Sequence, residues 1–285
     1  MKILVTGAAG YIGKKLVEKL ISENHKVIAH DIIPTGFNNE IIHDLTKKCD
    51  FLPEVDIVIH LAAHKSVPES IEKPTKYLEN ISMTLNLVQH YHDTHIIFSS
   101  TAAVYKEGSK AITENGILEP QSPYGHGKLA CENIIRHNPK HTILRYFNVI
   151  GDYPGAKKGT NILDILQDCS LNNKTFSITG TDFNTKDGTG VRDYIDLNDI
   201  IEAHLKVFKP IYGTFNVGNE KGVSVKELVE IYKETYPELK VENAKRRQGD
   251  IGYSVADTKL FHEKSGWKPK ISIKESVNGY INLKK

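Results

Sequence analysis

Cysteine is scarce in this sequence, which has only Cys49, Cys131 and Cys169 among its 285 residues. The three lie far apart and show neither the pattern of a disulfide framework nor the short spacing of a zinc site. We therefore expect a reducing, cytoplasmic environment and no bound metal. The histidines of the HYHDTH segment at 90–95 have no distant partners to complete a metal site, so a helix end and a water-exposed loop are expected there.

An excess of charge of one sign is also absent, because 37 Lys and Arg residues are balanced by 35 Asp and Glu residues, giving a formal net charge of +2. Such a surface has no broad field for nucleic acid, so we expect no nucleic-acid partner and only local anion sites. No apolar run reaches the roughly 18 residues of a membrane span. The opening MKILVTG is too short for the apolar region of a signal peptide, so neither secretion nor membrane insertion is expected.

Short apolar runs rich in β-branched residues alternate with segments of helical spacing over the first half of the chain. The runs that predict strands lie at 2–6, 26–30, 56–61, 95–99 and 142–147, and helical spacing is found at 11–23 and 74–90. Alternating strands and helices are typical of a parallel sheet covered on both faces. The predicted fold class is α/β, with a doubly wound, Rossmann-type parallel sheet and a smaller C-terminal region.

The first predicted strand leads directly into GAAGYIG, with Gly7, Gly10 and Gly13. Glycines permit a tight turn and let backbone N–H groups approach a pyrophosphate, and the following helix N-terminus adds the positive end of its dipole. The second strand ends in Asp31, an acid positioned to hydrogen-bond a ribose diol. Its carboxylate would repel a 2'-phosphate and no arginine lies beside it, so we predict NAD rather than NADP as the cofactor.

The composition changes after residue 150, where Gly, Asp, Asn, Lys and Thr become frequent and the predicted elements become shorter. We interpret residues 1–150 as an NAD-binding domain, to which residues 193–210 return. Residues 151–192 and 211–285 are predicted to form a smaller substrate-binding region that closes over a site at the sheet edge.

Hydroxyl, phenol and ammonium groups are predicted to meet near the end of one strand. FSSTAAVY at 98–105 ends a strand, and Tyr124 and Lys128 come at the start of a predicted helix. Residues at i and i+4 share a helix face, so the lysine charge would favour the phenolate and lower the tyrosine pKa toward neutrality. The tyrosine could then act as acid and base while Thr101 holds the same substrate oxygen. Thr101, Tyr124 and Lys128 are the predicted catalytic residues.

Together these motifs resemble those of the extended short-chain dehydrogenase/reductase family, in particular its UDP-hexose 4-epimerases. The resemblance extends over nearly the whole chain through GAAGYIG, SSTAAVY, QSPYGHGK, RYFN, TDFNTKDGTGVRDYIDLNDI and RRQGD. Lys106 and Gly127 depart from the usual glycine and serine, and the chain is shorter than most relatives. None of these departures removes a catalytic atom, although they affect loop geometry and substrate preference.

The resemblance implies two sets of binding residues. Those implied for NAD are Gly7, Gly10, Tyr11, Ile12, Gly13, Asp31, Asp44, Leu45, Leu61, Ala62, Ala63, Lys65, Asn80, Ser99, Tyr124 and Lys128. Those implied for the substrate are Thr101, Tyr124, Asn148, Asn161, Arg192, Arg247, Asp250 and Ser254. In relatives the asparagines contact sugar and diphosphate, the arginines hold the diphosphate, and the final aspartate contacts the uridine ribose.

Ser254 is implied to border the sugar pocket, where a tyrosine would exclude a 2-N-acetyl group; Tyr253 takes this position if the loop shifts by one residue. A serine therefore implies that N-acetylated UDP-hexoses are accepted. The alternative to Arg192 as a diphosphate ligand is an ion pair with Asp193 or Asp196.

The implied activity is NAD-dependent inversion of C4 in a UDP-hexose, UDP-glucose/UDP-galactose and also the N-acetylated pair, through a transient 4-keto intermediate. A dehydratase or decarboxylase of the same family is one alternative, although Ala102 and Ala103 stand where dehydratases carry an acidic pair. A non-catalytic NAD-binding sensor is a second alternative, but a sensor would not need the intact set of Tyr124 and Lys128. Family assembly implies a homodimer through helices near 80–91 and 124–137.

Overall fold

The computed structural model describes residues 1–151, 161–247 and 249–284. The strands are β1 (Lys2–Thr6), β2 (Lys26–Asp31), β3 (Glu40–Ile42), β4 (Ile57–His60), β5 (His95–Thr101), β6 (His141–Tyr146), β7 (Asn148–Ile150), β8 (Thr175–Thr179), β9 (Val191–Asp196), β10 (Gly213–Val217), β11 (Gly222–Ser224), β12 (Lys240–Ala244) and β13 (Tyr253–Ser254). The helices are α1 (Tyr11–Ser22), α2 (Val67–Glu72), α3 (Glu79–His90), α4 (Pro123–Ile135), α5 (Ile162–Leu171), α6 (Leu197–Lys206), α7 (Val225–Lys233), α8 (Lys259–Ser265) and α9 (Ile273–Lys284), with short 3₁₀ turns at Pro74–Leu78 and Ala102–Val104.

The central sheet has seven parallel strands in the order β10-β6-β5-β4-β1-β2-β3. From β1 the chain adds β2 and β3 on one side of the sheet. It then returns to the other side of β1 with β4, β5 and β6, so the strand order reverses between β1 and β4. In open α/β sheets the crevice at such a reversal, outside the carboxyl ends of the strands, is the usual ligand site. The predicted doubly wound parallel sheet is confirmed.

Helices cover both faces of this sheet, which explains why its strands are apolar along their whole length. On one face α1 buries Leu16 and Leu20 beside α6 and the strand residues of the same core. On the other face Leu87 of α3 and Ile135 of α4 pack against the strands. Helices α3 and α4 also pack on each other, and Leu85 of α3 is exposed. A homodimer through these two helices stays a prediction.

The smaller region has its own apolar core at the carboxyl edge of the large sheet. Strand β9 pairs with β7, β11 and β13, and β8 pairs with β12. Helices α5, α7 and α9 surround these strands through Leu166, Leu228, Tyr232 and Val277. None of the helices in the described ranges is both long and apolar enough to span a membrane.

Strand β10 pairs with β6 in the large sheet, whereas the sequence-based division placed residues 211–285 in the smaller region. Phe215 of this strand lies 5.3 Å from Phe261 of α8 between ring centroids, and Trp267 follows in the same core. The chain therefore returns to the large sheet twice, through α6 and through β10 with α8. The division into two domains stays a prediction.

Candidate active site

A cleft of about 1030 Å³ extends from the carboxyl ends of the large sheet to the smaller region. This volume is at the upper end of the range for a single small-molecule site, so the cleft has room for a second ligand. The predicted residues that line it are Gly7, Gly10, Tyr11, Ile12, Gly13, Asp31, Asp44, Leu45, Leu61, Ala62, Ala63, Lys65, Ser99, Thr101, Tyr124, Lys128, Asn148, Asn161, Arg192, Arg247 and Asp250. Asn80 and Ser254 are outside this lining.

The glycine loop forms one end of the cleft, and its close backbone packing leaves no room for side chains. Gly7 has a φ of 71°, and a Cβ there would lie 2.7 Å from the Ala62 nitrogen. A Cβ at Gly13 would lie 2.1 Å from the Gly7 carbonyl oxygen. Helix α1 begins directly after Gly10, which has no side chain to satisfy its first N–H groups. The N–H groups at this helix start fit a pyrophosphate at this end of the cleft.

Asp31 fixes the glycine loop as well as bordering the cleft. Its Oδ2 accepts a hydrogen bond from the Ala9 nitrogen at 2.9 Å, and its Oδ1 accepts one from the Ile32 nitrogen at 2.8 Å. A carboxylate has further lone pairs, so these bonds leave acceptor capacity for a ribose diol. The loop-fixing bond could not be read from the sequence, because it joins residues 22 positions apart.

Two other predicted NAD residues use their side chains to hold neighbouring backbone. Asp44 Oδ1 accepts from the nitrogen and hydroxyl of Thr46, and these bonds keep the pKa of Asp44 below its usual value. Asn80 donates to the His64 carbonyl at 3.0 Å and accepts from the His64 nitrogen at 2.8 Å. Asn80 thus holds the strand-end segment that carries Ala63 and Lys65, rather than facing the cleft itself.

The Thr101, Tyr124 and Lys128 side chains converge at the end of β5. Pro123 begins α4 and the Ser122 hydroxyl caps it by accepting from the Gly125 nitrogen at 3.2 Å. This start places Tyr124 in the first turn of the helix, where it borders the cleft together with Thr101. One turn later, the buried Lys128 ammonium donates to the Ser99 carbonyl oxygen at 2.7 Å. The structure therefore brings the three predicted catalytic residues together.

Burial dominates the electrostatics of this set and opposes ionisation of both groups. It raises the pKa of Tyr124 to about 12, although the neighbouring Thr101 hydroxyl lowers it in part. It lowers the pKa of Lys128 to about 8. The predicted lowering of the Tyr124 pKa toward neutrality is therefore wrong for this structure, because the loss of hydration on burial dominates.

The opposite end of the cleft carries the predicted substrate residues. Asn161 caps α5, because its Oδ1 accepts hydrogen bonds from the nitrogens of Leu163 and Asp164. Its oxygen is therefore occupied, and its amide N–H groups are the part of the side chain suited to bind a ligand. Asn148 at the start of β7, Arg247 and Asp250 also face this end. The Asp250 carboxylate is within 3.3 Å of the Arg247 backbone nitrogen.

Arg192 borders the cleft and makes no ion pair with the acids that follow it in the described chain. Its Nη1 donates to the Val191 carbonyl at 3.0 Å. Asp193 instead accepts from the backbone nitrogens of Asn219 and Glu220, and Asp196 accepts from the Ser276 hydroxyl. The ion-pair alternative for Arg192 is therefore wrong. Its guanidinium retains donors for a phosphate group.

Ser254 lies in β13 beside Arg192 and is 4% exposed. It is next to the substrate end but does not face the open cleft. Sequence reasoning also missed cleft residues at both ends, among them His30 and Phe176. His30 could have been found from the sequence, because it is a polar residue at the end of an apolar strand. Phe176 belongs to the alternating TFSIT strand, and nothing in the sequence distinguishes it as a cleft residue.

The cleft combines a glycine loop at the reversal of a parallel sheet with an acid at the end of β2. It also holds a threonine, a tyrosine and a lysine. Together these features define the class of protein. This is the arrangement of a Rossmann-type, dinucleotide-dependent enzyme with a second ligand end. The sequence pattern of the NAD dependent epimerase/dehydratase family matches residues 3–218. The chain belongs to this family, which confirms the resemblance and the NAD dependence predicted from the sequence.

Among similar proteins, a UDP-glucose 4-epimerase of Lactobacillus helveticus is 36% identical over 305 residues, covering 95% of this chain and 92% of that protein. The structure of UDP-glucose 4-epimerase from Bifidobacterium longum in complex with NAD+ and UDP has a TM-score of 0.90 and 29% identity, covering 100% of this chain and 98% of that one. The NAD-dependent NDP-hexosamine 5,6-dehydratase TunA is also similar, with a TM-score of 0.88 and 26% identity, covering 99% of this chain and 96% of that one.

Proposed function

We propose that the protein inverts C4 of a UDP-hexose through a transient 4-keto sugar, with NAD as the hydride carrier. The observation that carries the proposal is that Tyr124 and Thr101 border the same cleft, which has a glycine loop at one end and arginines at the other. A sugar hydroxyl placed beside this pair would have both a proton acceptor and a hydrogen-bond donor within reach.

Tyr124 takes the proton of the 4-hydroxyl as the C4 hydrogen leaves with its electron pair, and the ketone that forms is held by Thr101. NAD would supply the hydride acceptor, and the positive charge of its oxidised nicotinamide would offset part of the effect of burial on the Tyr124 pKa. Tyr124 would give its proton back to the oxygen when the ketone is reduced again from its other face, which yields the epimer. Oxidation and reduction cancel, so no external reductant is needed.

The reaction requires the sugar to turn over while the nucleotide remains bound. Arg192 and Arg247 support this division because guanidinium groups match the geometry of a diphosphate and both border the far end of the cleft. Binding free energy then comes mainly from the nucleotide, and the hexose is left free enough to present either face.

Elimination chemistry receives less support from the same site. A dehydratase needs an acid and a base near C5 and C6, and the positions after Thr101 are Ala102 and Ala103. A non-catalytic NAD sensor would not require the buried Lys128 ammonium beside a tyrosine, which costs folding free energy. Epimerisation is the activity for which each of these residues has a use.

Incubation of the purified protein with UDP-glucose, UDP-galactose and their N-acetylated forms, followed by chromatographic separation of the products, tests the proposal. We expect interconversion without added reductant. Tyr124→Phe should lose turnover and keep bound NAD. Absence of any interconverted pair, or a Tyr124→Phe variant with wild-type turnover, would contradict the epimerase assignment.

A further inference from the structure

His30 differs from the other deeply buried histidines of the described chain. It is 1% exposed, and neither of its ring nitrogens has a hydrogen-bond partner among the described residues. His60 is bonded to the Thr6 and Thr84 hydroxyls, and His95 to the Thr142 hydroxyl. Buried polar atoms in folded proteins are nearly always paired, so an imidazole without protein partners is expected to bond a water or a ligand.

The position of His30 directs this imidazole to one end of the cleft. It is the last residue before Asp31 on β2 and borders the cleft beside His43, with 6.3 Å between the two ring centroids. Strand alternation places its side chain on the face of Ile28, opposite to Ala29. Three strand spacings, roughly 14 Å, separate β2 from β5 in the sheet. His30 is therefore far from Tyr124 and lies at the adenosine end of a dinucleotide.

The acidic side chains near His30 cannot make every hydrogen bond that an adenine base offers. A carboxylate can only accept hydrogen bonds, so Asp31 and Asp44 suit a ribose diol and an exocyclic amino group but cannot donate to a ring nitrogen. Burial lowers the pKa of His30 to about 4. The imidazole is thus neutral near pH 7, with one nitrogen that donates and one that accepts. Adenine offers the complementary pair, an amino donor next to ring-nitrogen acceptors.

We propose that His30 is a base-recognition residue of the NAD site, whose imidazole hydrogen-bonds the adenine ring and selects it over a 6-oxopurine. In nicotinamide hypoxanthine dinucleotide the 6-amino donor is replaced by a carbonyl acceptor, and N1 gains a hydrogen. The purine edge that carries the 6-substituent and N1 then has its hydrogen-bond donor and acceptor exchanged. A site that loses matched hydrogen bonds in this way discriminates strongly, because its own polar groups are left unpaired.

A competition experiment on the full chain tests this role without relying on turnover. The protein is equilibrated with an excess of NAD and nicotinamide hypoxanthine dinucleotide in equal amounts, free nucleotide is removed, and the bound nucleotides are released and quantified. We expect wild-type protein to retain NAD over the analogue by about tenfold or more, and His30→Leu to reduce that ratio at least fivefold. ADP-ribose affinity should fall in His30→Leu by the same factor as NAD affinity.

His95→Leu is the matched control, since His95 is also buried but is paired with Thr142 and lies outside the cleft lining. It should keep the wild-type ratio. If His30→Leu does not fold, His30→Gln, which retains a donor and an acceptor, should fold and keep a preference for NAD. A His30→Leu variant with the wild-type nucleotide ratio, or one that loses NAD affinity but not ADP-ribose affinity, would overturn the proposal.

Discussion

The Glu132 carboxylate and the Arg145 guanidinium form an ion pair in the interior, joined by hydrogen bonds of 2.9 and 2.7 Å. Both side chains are almost completely buried, at 0% and 1% exposure. The same carboxylate accepts from the Ser100 hydroxyl at 2.5 Å, next to Thr101. One buried pair therefore connects α4, which carries Tyr124 and Lys128, with the strand ends that complete the catalytic set.

Glu132→Gln should destabilise the fold strongly, by about 3 kcal/mol or more, because it leaves the Arg145 charge buried without its counter-ion. Denaturant unfolding at pH 7 measures the loss. The control is Glu119→Gln, whose exposed pair with Lys106 should contribute less than about 1 kcal/mol. Equal stability of the two variants would contradict the importance of the buried pair.

The same pair predicts a pH dependence of stability. Burial raises the pKa of Glu132, but the hydrogen bonds and charge of Arg145, together with the Ser100 hydroxyl and the charge of Arg136, outweigh it and hold the pKa below its usual value. A carboxyl with a lowered folded pKa stabilises the protein above its unfolded pKa and loses that contribution as pH falls through the folded pKa. The wild-type free energy of unfolding should therefore drop on acidification below about pH 4.5, and this part of the drop should be missing in Glu132→Gln.

Lys128→Met should abolish turnover and yet stabilise the nucleotide-free protein at pH 7 by roughly 2 kcal/mol, because the buried ammonium is removed. The folded pKa of Lys128 is about 8, below the ordinary 10.5. Between these values the unfolded chain binds more protons, so wild-type stability rises with pH and the advantage of the variant shrinks. Unfolding curves at pH 7 and pH 9.5 measure both effects. A variant less stable than wild type at pH 7 would contradict the prediction.

The large sheet and the catalytic set could be predicted because both depend on local sequence. Continuous apolar runs mark strands buried on two faces, and a threonine at a strand end with a tyrosine and lysine at a helix start needs only the α/β topology to bring them together. The glycine loop is local in the same way. These features required no knowledge of distant contacts.

Features that depend on distant contacts could not be predicted. Strand β10 pairs with β6 across about seventy intervening residues, and nothing in GTFNV specifies that neighbour. Arg145 lies within an apolar strand and needs a buried partner, but nothing in the local sequence identifies that partner as Glu132. The pKa of Tyr124 depends chiefly on burial, which results from the packing of distant segments around its ring and is not specified by the local sequence.

Asp31 should make the protein prefer NAD to NADP, because its carboxylate would lie near the 2'-phosphate of NADP and repel it. Asp31→Asn keeps the side-chain shape, removes the charge and gives up one of the two backbone hydrogen bonds. Both dinucleotides should therefore bind more weakly, and the preference for NAD over NADP should become smaller. Parallel titrations with the two dinucleotides measure it, with the exposed Asp50→Asn as a control. Tighter binding of NADP than NAD by the wild type would overturn the assignment.

Arg247→Ala should weaken UDP binding by roughly 1.5 to 3 kcal/mol, the range for a charge-assisted hydrogen bond, and leave NAD affinity unchanged. The neighbouring Arg246 is a matched control, since its guanidinium pairs with Asp182 and lies 3.9 Å from the Phe183 ring centroid, away from the cleft lining. Calorimetric titration of UDP should therefore show weakened binding in Arg247→Ala and wild-type affinity in Arg246→Ala. The same UDP affinity in Arg247→Ala as in the wild type would remove this residue from the site.

The range of sugars accepted should depend on Ser254. This serine is 4% exposed in β13, next to Arg192, and it does not project into the cleft. A residue of this size leaves the sugar end open, so an acetamide on C2 meets no wall there and UDP-N-acetylglucosamine should be turned over as well as UDP-glucose. In Ser254→Tyr the much larger ring does not fit the buried space of the serine, so we expect it to displace its neighbours toward the sugar end of the cleft. It should then abolish turnover of the N-acetylated sugar while sparing UDP-glucose. Ser254→Ala, which adds no volume, should keep both activities. Product analysis with the two sugars measures the selectivity. Wild-type turnover of UDP-glucose alone would refute the open pocket, and a Ser254→Tyr variant that keeps both activities would show that this position does not select the sugar.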